Sequence, residues 1–302
     1  MNIGQKKSRS ITALCSLLGY SRQAFYQQKR SFEKYVLQEE LVIQQVLQIR
    51  SRQKHVGTRK LFYMLQSFMD HHDISMGRDA LFTMLRQHGL LIRKRRRKIP
   101  RTTFSDHWQY KFPNLIIGLP ITHANRVWVS DITYVNLKDD FAYLSLITDA
   151  YSHLIVGYHL SKDLKTTGCL QALKRALRYL SPNDILIHHS DRGCQYCSIE
   201  YVSLLELNNI SVSMTQNSDP RENAIAERVN GILKQELLDP VHISLADARI
   251  KIDQAIEIYN HERLHASIDM LTPSEAYLRT GNLKKHWKNY YKANKQKEVE
   301  MT

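Results

Sequence analysis

No apolar run in this 302-residue sequence approaches the ~18–20 residues that a membrane-spanning helix needs, and Asn114-Leu115-Ile116-Ile117-Gly118-Leu119 falls far short. The opening Met1-Asn2-Ile3-Gly4-Gln5-Lys6-Lys7 lacks the apolar stretch of a secretory signal. Cysteine is scarce: 4 residues cannot build a disulfide framework, which fits a reducing compartment. Acidic charge is also in deficit, with 29 Asp and Glu against 43 Lys and Arg, a balance of +14. These absences point away from membrane and disulfide-scaffold classes and toward a cytoplasmic protein with a polyanionic partner, since each phosphate met by Lys or Arg releases counterions. What remains is ordinary for folded proteins, 43% apolar and 24% charged residues. At roughly 150 residues per domain, the length suggests about two domains.

The positive charge is not evenly spread. Residues 1–100 carry 20 basic and 6 acidic residues, residues 101–281 carry 17 and 21, and residues 282–302 carry 6 and 2. A basic front end, a slightly acidic middle and a basic tail suggest that binding is separated from another activity. The front end has helical patterning. Ile11 to Leu18 is followed by Gly19, and Ser21 can cap a second helix carrying Phe25 and Tyr26. Residues 1–30 thus fit a helix-turn-helix with Arg22 and Gln23 turned outward toward DNA, or two short helices of structural purpose only. Residues 31–100 form a second helical unit. Val42, Val46 and Ile49, then Leu61, Leu65 and Phe68, repeat at helical spacing, and a third helix is expected from Gly77 to His88. Thr58 is the expected cap of the middle helix, with Arg59 and Lys60 left outside. The run Arg93-Lys94-Arg95-Arg96-Arg97-Lys98 reads as a solvated linker whose cations can track a phosphate backbone. Residues 101–121 read as a linker.

From residue 126 the pattern changes. Val127 to Val135, Phe141 to Thr148 and Leu154 to Tyr158 are three β-rich segments joined by short turns, an antiparallel meander. A helix (164–180), a strand (Asp184 to His188), a helix (197–208) and a strand (Ile210 to Met214) follow, then helices at 222–238 and 244–260. The expected class is α/β, a mixed five-stranded sheet flanked by helices, preceded by small all-α units.

Three acids stand out within residues 122–281. Asp131 interrupts an apolar strand, where an ionised carboxylate is costly without compensation. Asp191 follows the fourth strand, and strand ends in α/β sheets are where ligands gather. Glu227 belongs to a helix. Singly, they read as a paired buried acid, a turn residue and a surface residue. Brought together, they would repel unless they shared hard cations such as Mg²⁺, and two such ions can stabilise both the attacking and the leaving oxygen of a phosphodiester displacement.

The segments Trp128-Val129-Ser130-Asp131-Ile132-Thr133-Tyr134, His189-Ser190-Asp191-Arg192-Gly193-Cys194-Gln195-Tyr196 and Asn223-Ala224-Ile225-Ala226-Glu227 carry a resemblance, with 35 residues between Asp191 and Glu227. They resemble the DDE transposases and retroviral-type integrases, and within them the catalytic subunit from the second reading frame of bacterial insertion sequences. The resemblance extends to Tyr259-Asn260-His261-Glu262-Arg263 with His265, to Thr272-Pro273-Ser274-Glu275-Ala276, and back to Gly57-Thr58-Arg59-Lys60-Leu61. It implies an RNase H-like core with Asp131, Asp191 and Glu227 as catalytic metal ligands for two Mg²⁺, with Mn²⁺ as a substitute. It further implies hydrolysis to free a 3′-OH, then strand transfer, acting on element ends and target DNA. A homo-oligomer on DNA, and a fusion to an upstream-frame product, are also implied partners. Glu222 in place of the family's usual Asp, and His153 where Arg is common, depart from the pattern.

Nearby residues extend the site. Lys234, seven residues after Glu227, is expected on the same helix face and resembles a DNA-binding lysine of integrases. His189 could orient substrate DNA or simply pack at a strand end. Cys194 and Cys197, beside His188 and His189, raise zinc binding, yet one Cys-x-x-Cys pair is too few. The tail, residues 282–302, mixes cations and aromatics. Two other functions stay open at this level: a non-catalytic DNA-binding regulator, and an RNase H-type nuclease without strand transfer.

Overall fold

A computed structural model describes residues 10–92, 111–182, 184–216 and 220–286; the basic run from Arg93 to Lys98, most of the expected linker and the tail beyond residue 286 lie outside these. The chain divides into two compact units, Met1–Arg93 and Lys94–Thr302.

In the first unit, helix α1 (Ile11–Leu17) is capped by Ser10 and ends before Gly19, whose φ of 72° suits a residue without Cβ. Helix α2 (Arg22–Arg52) is capped by Ser21, whose Oγ accepts from Ala24 N at 3.0 Å. The two helical segments expected on either side of residue 30 are one continuous helix of 31 residues. No Pro or Gly interrupts this stretch, and Gln, Glu, Lys, Arg and Leu dominate it, so nothing breaks its hydrogen-bond ladder. Helices α3 (Thr58–His71) and α4 (Arg78–Gln87) complete the unit. Gly57, rather than Thr58, occupies the cap position of α3, and Thr58 is buried in its first turn. Val42, Val46, Leu61, Leu65, Leu81 and Leu85 are fully enclosed between α2, α3 and α4. Arg22, Gln23 and Arg59 are exposed and Lys60 is half-buried.

The second unit is built on strands β1 (Val127–Asn136), β2 (Phe141–Asp149), β3 (Ile155–Ser161), β4 (Ile187–Ser190) and β5 (Ser211–Met214), in the order β3-β2-β1-β4-β5. β1, β2 and β3 pair antiparallel, whereas β4 and β5 run parallel to β1. This is the mixed five-stranded sheet of an RNase H-like core. Helices α5 (Thr166–Ala176) and α6 (Ile199–Leu207) cover one face, where Trp128, Ile147, Leu173, Tyr201 and Met214 cluster. Helices α7 (Ala224–Ile232) and α8 (Leu245–His261) pack on the other against Leu144, Leu146 and Ile155. The alternation of Leu146 and Ile147 between faces follows the two-residue strand period.

The stretch expected as one helix over 222–238 has three parts: a 3₁₀ turn at Pro220–Asn223, α7, and a π-helical turn at Leu233–Leu237. A further short helix, α9 (Pro273–Tyr277), begins at a capping box between Thr272 and Glu275. Among the described residues no helix is long and apolar enough to cross a membrane.

Gly157 in β3 lets α5 approach the sheet: a Cβ there would stand 2.3 Å from Ala172 O and 2.8 Å from Ala176 Cβ. Backbone cannot yield as a flexible side chain does. Gly157→Ala is therefore expected to destabilise by about 1–3 kcal/mol. A urea denaturation midpoint equal to wild type would contradict that close contact.

Candidate active site

Asp131 lies midway along β1, and Asp191 follows directly after β4. The parallel pairing of these strands places Ser130 opposite Ser190, so the two aspartates leave neighbouring strands at the same level. Neighbouring strands lie only ~4.8 Å apart. Helix α7 brings the third acid. Asn223, just before it, donates from Nδ2 to Ser130 O at 2.9 Å, and Asn230 donates from Nδ2 to Asp131 Oδ2 at 2.7 Å. Glu227 lies four residues after the first and three before the second, on the helix side facing β1.

The electrostatics register this convergence. Asp131 is pushed up to about 7, first by burial and then by the charge of Asp191, with a smaller push from Glu227; hydrogen bonds from Asn230 and from its neighbouring amide pull the other way. Its Oδ1 accepts the Ile132 N–H at 2.9 Å. Asp191 Oδ1 accepts the Gly193 N–H at 3.0 Å, and a Cβ on Gly193 would meet that same oxygen at 3.0 Å. Glycine there lets the loop fold tightly over the acid. Among the described residues, no three His, Cys, Asp or Glu side chains are drawn close enough to hold a metal ion as they stand. Asp131 instead uses its oxygens on Asn230 and Ile132.

Lys234 sits half-buried in the π turn. Burial lowers its pKa while the negative charge of Asp131 raises it, which puts the ammonium within electrostatic reach of Asp131. Beside Glu227, a cleft is lined by Arg228, Gly231, Gln235 and Glu236. Nothing stands within 4 Å of where a Gly231 Cβ would be, so this side of the helix is open to a ligand backbone.

One expectation needs correction. His189 is fully buried, with Nδ1 2.9 Å from Ser213 Oγ, and burial lowers its pKa to about 4. It lies covered on the sheet face beside Ser213 of β5, with Glu222 nearby, so it cannot touch DNA directly. Cys197 is buried with its Sγ 3.6 Å from Met214 Sδ, whereas Cys194 is exposed. Asp149 is fully buried and accepts from Asn125 N, Ser152 N and Ser152 Oγ at 2.6–2.8 Å, local bonds apart from the three acids.

The sequence reading missed Asn223 and Asn230. Their spacing from Glu227 was the available signal, because residues three and four apart on a helix share a face. Behind the acids, Ser130 Oγ and Tyr201 OH both meet His188 Nε2, at 2.6 and 2.9 Å. This buried contact joins β1, β4 and α6 on the sheet face opposite Asp131.

Comparison with known proteins gives consistent matches. The family described as integrase core domain matches residues 121–220, and a second family of the same description matches residues 208–273. The chain is 34% identical over 267 residues to the insertion element IS600 uncharacterized 31 kDa protein of Shigella sonnei, covering 86% of this chain and 96% of that protein. It is 30% identical over 195 residues to the transposase InsF for insertion sequence IS3A of Escherichia coli (strain K12), covering 63% of this chain and 67% of that one. Among solved structures, the catalytic core domain of HTLV-2 integrase in complex with magnesium superposes with a TM-score of 0.42 at 20% identity, covering 51% of this chain and 97% of that one. A simian T-cell lymphotropic virus intasome chain gives a TM-score of 0.46 at 17% identity, covering 80% of this chain and 79% of that one.

Proposed function

Because this chain belongs to the insertion-sequence transposases with an integrase core domain, we propose that it cuts and joins DNA at element ends through Asp131, Asp191 and Glu227. The observation that carries this assignment is the placement of Asp131 and Asp191 at one level of neighbouring strands, with the helix that bears Glu227 tied to β1 through Asn223 and Asn230. Evolution does not gather three mutually repelling acids for stability, and shared divalent cations relieve that repulsion. All three offer hard carboxylate oxygens, the donor type that suits Mg²⁺ and Mn²⁺. Bound there, two such ions would supply Lewis acidity at the scissile phosphate and lower the pKa of the attacking hydroxyl.

The protein's own groups do the rest. Asn230 holds the Asp131 carboxylate by one oxygen and so sets its orientation. Lys234 holds a phosphate oxygen beside the scissile bond, and the open face at Gly231 admits the DNA backbone. The first unit recognises element ends through Arg22, Gln23, Arg59 and Lys60, with the run from Arg93 to Lys98 following the phosphates. We place the protein in the cytoplasm, as a homo-oligomer on DNA, acting alone or fused to an upstream-frame product.

The test incubates labelled element-end duplexes and target DNA with Mg²⁺, using wild type and Asp191→Asn. Joined products lost in the variant are expected. Cleavage without joining would mean a nuclease, and binding without either would mean a regulator.

The division of labour gives a second expectation. A chain lacking residues 1–100 should keep a cooperative melt, because the second unit has its own core, yet lose most salt-sensitive DNA binding. Fluorescence anisotropy against salt concentration checks this. A slope retained by the truncated chain would place the DNA contacts elsewhere.

A further inference from the structure

The motif Tyr259-Asn260-His261-Glu262-Arg263 with His265 carries a cation that the catalytic reading leaves unused. From the sequence it could pack or touch DNA; in the fold it packs. Arg263 is 2% exposed, His265 4% and Tyr259 fully buried. Arg263 donates from Nε to Glu236 Oε2 at 2.9 Å, and from Nη2 to Glu236 Oε1 at 2.9 Å and Oε2 at 2.8 Å. Its Nη1 lies 2.9 Å from His265 Nε2. Such a fork on a carboxylate fixes direction as well as distance.

Both ends of this clamp are informative. On one side, Arg263 is itself anchored. Asn260, three residues earlier, accepts from Ile155 N at 3.0 Å and donates to Ile155 O at 3.1 Å, which ties the segment to the start of β3. On the other side, Glu236 belongs to the π turn at Leu233–Leu237, closed by Leu238 N donating to Leu233 O at 2.8 Å. A π turn holds an extra residue and is rarely stable without an external reason. The same turn carries Lys234. In a regular helix Glu236 would lie about 200° around the axis from Lys234; the wider turn changes this angle and lets Glu236 meet Arg263 while Lys234 stays beside the acids.

We propose that Arg263 is a positioning residue: by gripping Glu236 it fixes the π turn and so aims Lys234 at the phosphate beside the carboxylate site. This rests on the reading of Lys234 as a phosphate contact. Without the fork, the turn relaxes toward α-helical geometry and Lys234 rotates away from the acids. The effect is transmitted through backbone, with no contact between Arg263 and DNA.

The full chain tests it with Arg263→Lys, which keeps a cation but loses the fork, and with Glu236→Gln as a second variant should the first not fold. Each is paired with Lys234→Ala, alone and combined. In EDTA, binding to a labelled 30-base-pair duplex is followed against salt. Lys234→Ala should lower the slope of log K against log salt by about 0.9, the share of one phosphate, and the folded Arg263→Lys should lower it equally. Joining with Mg²⁺ should fall about 10–100-fold in each single variant and no further in the double. Arg263→Lys with a native melt and the wild-type slope, or losses that multiply in the double, would overturn the clamp. An unchanged slope in Lys234→Ala would instead sink the phosphate reading on which it rests.

Discussion

Asp131→Asn should cost about 10³-fold or more in end joining and, in metal-free buffer at pH 8, make the protein more stable. The first half follows from removing one of the three groups that we propose hold the ions, whose charge stabilisation is worth several kcal/mol. The second half follows from the folded-state pKa. The carboxyl of Asp131 stands at about 7 in the fold against 3.8 when unperturbed. Between those values the folded protein binds a proton that the unfolded chain has released, so stability falls as pH rises through that window. Above about pH 7 the full cost is present, about 2–4 kcal/mol. Asparagine carries no charge and removes it, while its carbonyl still accepts one of the two hydrogen bonds from Asn230 and Ile132. His153 and His188, lowered by burial to about 4 and about 3, act in the opposite sense, since stability is lost as pH falls below their unperturbed value. The difference between wild-type and variant stability therefore isolates Asp131. Urea denaturation from pH 4 to pH 8.5 is the measurement. A gap that fails to widen between pH 5 and pH 7 would show that the fold does not disfavour the ionised form of Asp131.

The second large effect is metal-linked stabilisation. If the three acids hold divalent ions, Mg²⁺ or Mn²⁺ at about 100 times the dissociation constant should add about 2.7 kcal/mol to wild-type stability at pH 8. The ions and protons compete for Asp131, so the gain should shrink at pH 5, where that carboxyl is protonated in the absence of metal. Asp131→Asn and Glu227→Gln should lose most of it. Filling the site also means that Asp131 shares or gives up the Oδ2 held by Asn230. Thermal melts with and without metal at the two pH values provide the readout. An equal shift in wild type and both variants would mean that the ions bind elsewhere.

The two effects share an origin. The sheet sets the middle of β1 beside the end of β4, and helix α7 is tied to β1 there. The fold thus tolerates a buried, charge-crowded aspartate, offset by a large two-sided core. Lys234 softens the repulsion without ending it, because the upward push on Asp131 persists.

Much of this was legible in the residues themselves. The three-stranded meander, the two parallel strands and the flanking helices follow from hydrophobic period, because a half-buried strand or helix must show one apolar face. Asp131 was conspicuous as a charge in an apolar strand, and Asp191 by its place after one. Element boundaries were less secure: β4 begins at Ile187, not Asp184, and α2 runs straight through residue 30. Nothing in local sequence distinguishes a helix that stops from one that continues when no Gly or Pro intervenes.

What only the tertiary structure decided are contacts between distant residues. His189 could have faced DNA or the sheet, and the neighbouring β5 strand with Ser213 places it inside. Asn230 was an unremarkable helix residue until β1 came within 2.7 Å of it. Arg263 could have met a phosphate, and it meets Glu236, 27 residues away in sequence. The sequence by itself determined the elements and the acids, since periodicity and residue type are local properties. Partner choice belongs to the fold, because a side chain's hydrogen bonds depend on which surfaces are packed together, and packing is decided by the whole core at once.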